Sequence, residues 1–519
     1  MALTETLTRS LALSLVLNLT PSLANADERL TLADATSRAL AKNYSIRVER
    51  ENVRAADARA RGSLGAYDVQ LSLDVSARHH RDPVNSLFSG APNGRPAPSQ
   101  NSFMSTVSLS QRFRTGALAT ASTSVTREGT DGVFSPFAPA YTSSLGVDLQ
   151  QPLLRDRAID PSRTALLVTA LDRDRSGAAL ASQALSTVAD VEKAYWGLVA
   201  ARRELEVRRG NLALAEQQRI DTQIRIEART VAVSDLAQPT AEVERRRGVL
   251  LSAQESVMRA ERALKLLMID SLDDQMWAES IVPADAPDTP MLPVDIAAAM
   301  AAAKRNRPEI ADLTAAGSQQ DLQIKLSRDQ LKPRMDLVAS YTIRGLAGEL
   351  ESTGLPFNIP VSLPASLNGG LGNSWSNLFD QKFPDLVVGV SFDVPLGRRE
   401  ARAQMAAAEA DRRRIATTMA GVQDRITAEV LNAVTALETA AGRIQAARAG
   451  LVAAQTQLRA EQDRFGAGLS TNFFVLTRQN DLAEAQLAEI AALTDYRKAQ
   501  TELSRAKGSL LDDRNIRIN

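Results

Sequence analysis

One segment recurs after an interval of roughly 250 residues, far too long for a solenoid of small repeats, so the chain reads as one unit written twice. Residues 145–153, ending in Pro152 and Leu153, return as residues 388–396, ending in Pro395 and Leu396. Each time, alternation precedes the proline and a long helical pattern follows it. Upstream, residues 39–76, with Asn43 early and alternating Leu71, Leu73 and Val75 late, answer to residues 302–340, with Asn306 early and Met335, Leu337 and Val338 late. Each copy therefore predicts a helix, strands, a very long helix and a return helix.

The expected layout follows. Residues 27–268 form the first repeat: helix 30–64, strands within 69–150, long helix 158–228 and return helix 232–268. A linker spans 269–292. The second repeat is 293–511, with helix 293–331, strands within 334–394, long helix 398–465 and return helix 472–511, and 512–519 is a tail. The class is mainly α with a strand part.

Composition excludes several functions. Aromatic residues make up 4% of 519, while Ala, Leu, Arg, Gln and Glu crowd the helical stretches, a bias of long coiled-coil-like helices rather than a compact enzyme. Lys+Arg and Asp+Glu both total 61, so net charge gives no reason to expect nucleic acid as a partner. Residues 1–26 have the form of a secretory signal, with Arg9, an apolar stretch and the small-x-small run Ala24, Asn25, Ala26, and cleavage is expected after Ala26. With no cysteine there is no disulfide framework, thiolate metal site or N-terminal lipidation site. No later segment has the 18 or so consecutive apolar residues of a membrane helix, so membrane contact would have to come through strands.

Strand patterns are well developed. Leu71, Leu73, Val75 and Ala77 alternate with Ser72, Asp74, Ser76 and Arg78, and Phe103, Val107 and Leu109 lie in a second alternating run. Residues 117–127, 142–150, 335–344 and 386–394 continue the period of two. These runs approach the roughly 9 to 11 residues that a barrel strand needs to cross a bilayer. Residues 82–100, 128–140 and 345–384 read as loops rich in Gly, Pro, Ser and Asn. A soluble antiparallel sheet fits the strands equally well.

The helices decide between those readings. Val188, Val191, Tyr195, Leu198 and Leu205 recur at three and four in the first rod, as do Ile426, Val430, Ala433, Leu437, Ala440, Ile444 and Leu451 in the second. A rod of roughly 68 residues would be about 100 Å long.

The order of elements, Pro152-Leu153-Leu154 and Pro395-Leu396, the run Asn306-Arg307-Pro308-Glu309, and the break from Arg464 to Thr471 through Gly466 and Gly468 together resemble the TolC-like outer-membrane efflux proteins over residues 28–511. The resemblance implies a homotrimer in the outer membrane of a Gram-negative bacterium, whose subunits share one β-barrel embedded in outer-membrane lipid and build a long periplasmic helical tunnel. It implies an efflux or type I secretion duct that docks a periplasmic adaptor and an inner-membrane pump or secretion transporter. The competing reading is a periplasmic or surface coiled-coil spacer without a channel.

By the same resemblance, the adaptor-contacting helix tips are Arg229, Thr230 and Val231 with Gly468, Leu469 and Ser470. The entrance aperture is Asp235, Phe474 and Thr477. Pro152 and Pro395 make the strand-to-helix turns. This chain departs from the family in three ways. Arg229 stands where a glycine is usual, Pro239 falls about one turn into the return helix, and Phe474 and Thr477 occupy places often held by acids. The first copy also has room for a hairpin beyond the usual four strands per subunit, turning at Arg114, Thr115 and Gly116. Phe473 and Phe474 serve either as a hydrophobic constriction or as seam residues between helices, and Arg229 and Asp235 are available for ionic latching.

No catalytic, cofactor or metal site is expected. His79 and His80 are neighbours on a strand and face opposite ways, and no phosphate loop, Gly-x-Ser-x-Gly elbow or His-Glu-x-x-His occurs.

Overall fold

The structure, a computed structural model, describes residues 27–81, 97–271, 273–287, 293–350 and 363–517. The expected signal segment 1–26 lies outside them, as do residues 82–96 and 351–362 of the expected loops, part of the linker 269–292 and the end of the tail. The first copy runs β1 (Asp27–Leu30), α1 (Leu32–Lys42), α2 (Tyr44–Gly62), β2 (Gln70–Arg81), β3 (Ser99–Arg112), β4 (Leu118–Thr130), β5 (Phe137–Pro152), α3 (Pro161–Glu227) and α4 (Ala237–Met268). After β6 (Ser280–Pro283) come α5 (Ile296–Asn306), α6 (Pro308–Gln330), β7 (Arg334–Leu350), α7 (Leu371–Phe379), β8 (Phe383–Asp393), α8 (Arg399–Gly466), α9 (Asn472–Ala506) and α10 (Leu510–Asp513). No helix among the described residues is long and apolar enough to cross a membrane.

The chain divides into two compact units, one drawn from residues 1–47, 183–306 and 428–519, the other from 48–182 and 307–427. In the second unit six strands form one antiparallel sheet in the order β2-β3-β4-β5-β7-β8. Register sorts the side chains onto two faces. Leu71, Leu73 and Val75 of β2 share a face with Phe103, Val107 and Leu109 of β3, Ala119, Ala121 and Val125 of β4, Leu145, Val147 and Leu149 of β5, Leu337, Tyr341 and Ile343 of β7, and Leu386, Val388, Val390 and Phe392 of β8. The opposite face carries Ser72, Asp74 and Ser76, Thr106, Ser108 and Ser110, Thr120, Ser122 and Ser124, Ser144 and Asp148, and Ser340, Thr342 and Arg344. Leu71, Leu73 and Val75 of β2 and Leu386, Val388, Val390 and Phe392 of β8 are more than half exposed, and among the described residues the outer edges of both strands carry unpaired backbone groups.

The first unit has its core around Leu30, Ala35, Val191, Tyr195, Leu198, Leu264, Met268 and Ile281. Here β1 and β6 pair in parallel, two short strands that sequence alternation does not reveal because each has only four residues. Tyr195 donates to Asp285 Oδ2 at 2.7 Å, and burial pushes its phenol well above the ordinary value of 10.0. Glu192, fully buried, accepts a two-pronged contact from Arg514 at 2.6 and 3.0 Å and the Thr501 hydroxyl at 2.5 Å. That arrangement satisfies a charge that burial alone would penalise.

Several expected boundaries are corrected. The single helix expected over 30–64 is α1 and α2, broken where Asn43 takes ψ 129, accepts from Ser45 N–H at 3.0 Å and donates to the Leu267 carbonyl at 3.1 Å. The helix expected over 293–331 is α5 and α6, because Arg307 precedes Pro308 and is held extended at ψ 122. The return helix expected from 232 starts at Ala237 after a 3-10 turn over Val233–Leu236, which places Pro239 within the first helical turn, where no N–H is needed. The one expected to reach 511 stops at Ala506, where Gly508 at φ +70 closes its C-terminus. The expected loops 128–140 and 345–384 contain strand as well: β4 reaches Thr130, β5 begins at Phe137 and β7 reaches Leu350.

The extra hairpin is present. Arg112 ends β3 and Leu118 starts β4, with Gly116 at φ +87 in the turn and Phe113 and Ala117 joined by a 2.8 Å backbone bond. Among the described residues the first copy thus supplies four strands of the six-stranded sheet and the second two.

Candidate helix-tip and aperture site

The two rods end in the same backbone motif. At the end of α3, Thr230 N–H bonds to the Arg225 carbonyl and Arg229 N–H to the Ile226 carbonyl, both at 2.9 Å. At the end of α8, Leu469 N–H bonds to the Arg464 carbonyl at 2.9 Å and Gly468 N–H to the Phe465 carbonyl at 3.1 Å. Both pairs form a Schellman closure, which needs a left-handed residue just past the helix. Gly468 supplies it at φ +73 without cost, and Arg229 supplies it at φ +60 against the Cβ penalty. The tip turns without a glycine because the hydrogen bonds of the motif hold the arginine there, helped by the Thr230 hydroxyl, which donates to the Arg225 carbonyl at 2.9 Å.

The tips are tied to each other. The Arg225 guanidinium sits 4.4 Å from the centre of the Phe465 ring, and Asn472 Nδ2 donates to Thr222 Oγ1 at 3.1 Å. The Ser470 hydroxyl donates to the Glu461 carboxylate. Thr471 is the N-cap of α9 by position, and the Phe474 N–H reaches its carbonyl at 3.1 Å. Leu469 is 80% exposed, so an apolar side chain stands bare at the end of the rod.

Among the residues expected at the aperture, Phe474 and its neighbour Phe473 are both about half exposed, edge to face with centroids 5.5 Å apart. Within the chain the helix seam is filled instead by buried Val475 and Leu476. Thr477 turns its hydroxyl back to the Phe473 carbonyl at 2.8 Å, and Asp235 is exposed and caps its own turn, accepting from the Ala232 N–H at 3.3 Å. Arg229 and Asp235 form no ion pair among the described residues. Asp481, one turn beyond Thr477, is paired with Arg478 at 2.8 Å.

A residue that sequence reasoning passed over lies behind these. Arg246 of α4 is 4% exposed and joins three helices: it donates to the Asn211 carbonyl at 2.6 Å, Asn211 Oδ1 at 2.8 Å, Gln479 Oε1 at 3.2 Å, the Leu476 carbonyl at 3.2 Å and Glu242 Oε1 at 2.7 Å. Burial pushes its guanidinium below the usual arginine value, opposed by Glu242. For Glu242, burial acts upward, yet the hydrogen bonds from Arg245 and Arg246 outweigh it and hold the carboxyl below 4.5. A signal existed: Pro239, Val243, Arg246, Ala253, Val257 and Leu264, all buried or partnered toward the core, follow the spacing of a coiled-coil seam, and Arg246 occupies one of its inward places.

Pro152 is the last residue of β5, and the chain then turns through Asp156 at φ +64, whose N–H bonds to Asp329 Oδ2 at 2.6 Å, to Asp160, which caps α3 by accepting from Arg163 N–H at 2.7 Å. Pro395 lies in the shorter passage between β8 and α8, where Arg398 takes φ +44.

Comparison with known proteins gives the chain's relatives and its fold. Residues 299–509 match the family model of outer membrane efflux proteins. The outer membrane efflux protein BepC of Brucella suis biovar 1 (strain 1330) is 26% identical over 375 residues, 72% of this chain and 73% of BepC. The Campylobacter jejuni CmeC outer membrane channel superposes with a TM-score of 0.64 at 14% identity, covering 92% of this chain and 86% of CmeC. The open state of the Neisseria gonorrhoeae MtrE outer membrane channel does so at 0.60 and 17% identity, covering 92% and 89%. The second copy thus matches the outer membrane efflux family model, the chain is similar to BepC in sequence, and over nine-tenths of its length it has the fold of the CmeC and MtrE outer membrane channels.

Proposed function

We propose that the protein is the outer-membrane duct of a tripartite export system, a homotrimer in a Gram-negative outer membrane with its helices in the periplasm. The observation that carries this is the two-faced sheet. One face is mainly apolar, interrupted by Ser105, Thr123, Arg127 and Ser143, and the other is rich in Ser and Thr, as a wall between lipid and an aqueous lumen needs. Its edge strands β2 and β8 run in opposite directions, so β8 of one copy can pair antiparallel with β2 of the next, leaving no edge in lipid. Six strands from each of three copies give eighteen, a number that leaves an open channel.

The tips Arg229, Thr230, Val231, Gly468, Leu469 and Ser470 are the surface offered to a periplasmic adaptor, and Asp235, Phe474 and Thr477 line the entrance. An inner-membrane pump or secretion transporter supplies the energy. Adaptor binding opens the entrance if it favours the untwisted tips over the closed ones. The experiment is oligomeric mass in detergent together with planar-bilayer recording of the mature protein. A trimer with stable, discrete conductance steps supports the duct. A monomeric, non-conducting particle sinks it.

A further inference from the structure

The helix α7 is left unexplained by the duct. It lies between β7 and β8, at the end of the sheet away from α2, α3, α6 and α8. It packs on the sheet at Gly345, where a Cβ would stand 1.9 Å from the Ser374 carbonyl oxygen, so only glycine admits the helix this close. Gly345 presents that direction to the face that also carries Leu337, Tyr341 and Ile343, because β7 alternates without a bulge against β5 from Asp336 to Gly348. Hence α7 sits on the apolar wall, outside the polar one. Buried Ser374 donates to the Gly345 carbonyl at 2.9 Å and meets the Ser143 hydroxyl at 2.9 Å, and Asn377 donates to the Leu346 carbonyl at 2.9 Å and the Ser366 carbonyl at 2.8 Å. Leu378 is fully buried and completes the inward side.

The two flanks of the helix differ. Leu371, Trp375 and Phe379, spaced four apart, form one stripe, with Trp375 and Phe379 stacked at 5.9 Å and Phe379 66% exposed. Asn373, Ser376 and Asp380, all exposed, form the other. Among the described residues, Leu371 and Phe379 stay exposed and Trp375 is half-buried, and the stripe continues the apolar band of the sheet through Tyr341, whose hydroxyl reaches Gln381 at 3.5 Å. We propose that α7 is an interfacial helix, clamped to the outer barrel wall, that lays Leu371, Trp375 and Phe379 into the acyl region of the outer leaflet and turns Asn373, Ser376 and Asp380 to water. An aromatic edge between an apolar body and a wet side is the chemistry of a membrane interface. The stripe anchors the depth of the trimer at its cell-surface rim. This rests on the reading of the apolar face as lipid-facing.

The chain has no cysteine, so single cysteines report without background. Phe379→Cys, Ser376→Cys and, on the barrel wall, Val147→Cys are labelled with an environment-sensitive fluorophore, and the full-chain protein is reconstituted in phosphatidylcholine and phosphatidylglycerol vesicles. Position 379 is expected to match position 147, with blue-shifted emission and severalfold stronger quenching by a lipid nitroxide than at position 376, which aqueous iodide quenches instead. Water-like behaviour at 379 with a lipid-like 147 overturns the proposal and leaves the barrel standing. Water-like behaviour at 147 overturns the barrel reading itself and the proposal with it. Shielding of 379 from both quenchers also overturns it, since protein and not lipid would then cover the stripe.

Discussion

The cost of individual residues is sharpest at Arg246. The residue is 4% exposed and its guanidinium makes five hydrogen bonds, so Arg246→Ala strands Asn211 Oδ1 and Gln479 Oε1 and leaves Glu242 with one partner fewer. The expected loss is about 3 kcal/mol, read as a lowered denaturant midpoint of the detergent-solubilised protein. A change indistinguishable from zero would mean that the buried network contributes specificity alone. Arg229 works in the opposite sense. A non-glycine residue in the left-handed region costs about 1 kcal/mol, so Arg229→Gly is expected to raise stability by that amount. Acid should act through Glu242. Its carboxyl is held below 4.5 in the folded chain, so its contribution is present above that value and is lost as pH falls through the lower folded one. The thermal midpoint is therefore expected to drop below about pH 4.5, and Glu242→Gln to begin lower at neutral pH and fall less on acidification. Parallel midpoint curves for the two proteins would remove Glu242 as the cause.

At the scale of elements, the long helices are held by small and branched residues on a 3.5-residue spacing. In α8, Ile426, Val430, Ala433, Leu437, Ala440 and Ile444 are all buried, and Ala454 and Leu458 continue the series. The turn that follows α8 decides what the start of α9 presents. Because Val475 and Leu476 take the inward places, Phe473 and Phe474 are carried to the outside of the helix pair, where a trimer's entrance would meet them. If Phe474 narrows that entrance, Phe474→Ala should raise single-channel conductance and shorten closures in planar bilayers. Unchanged conductance and closure would remove it from the aperture.

For the whole molecule, the proposed duct divides its parts between the two compact units. Leu469 is bare at a helix tip and belongs to a different compact unit from the sheet, so Leu469→Asp should leave trimer mass and bilayer conductance unchanged while weakening binding to a purified adaptor by at least tenfold, about 1.4 kcal/mol. Equal adaptor affinity would move the docking surface elsewhere. The duplicated design, the strand faces, the two rods, the prolines between them and the extra hairpin at Gly116 were legible in the chain itself, because each is written as a local period: two for strands, near 3.5 for seams, and turn residues at their ends. What stayed hidden has no such period. The four-residue strands β1 and β6 exist only because they pair with each other, β7 runs on to Leu350 because β5 supplies a partner, and α7 sits where Gly345 opens a space for it. The break at Asn43 is held partly by Leu267, more than 200 residues away in sequence, and Arg246 is buried because Asn211, Leu476 and Gln479 converge on it. Local periodicity thus determined the elements and their faces, whereas tertiary pairing decided where they end and which polar groups could afford to be inside, since an unpaired backbone or charge is tolerated only where the fold brings it a partner.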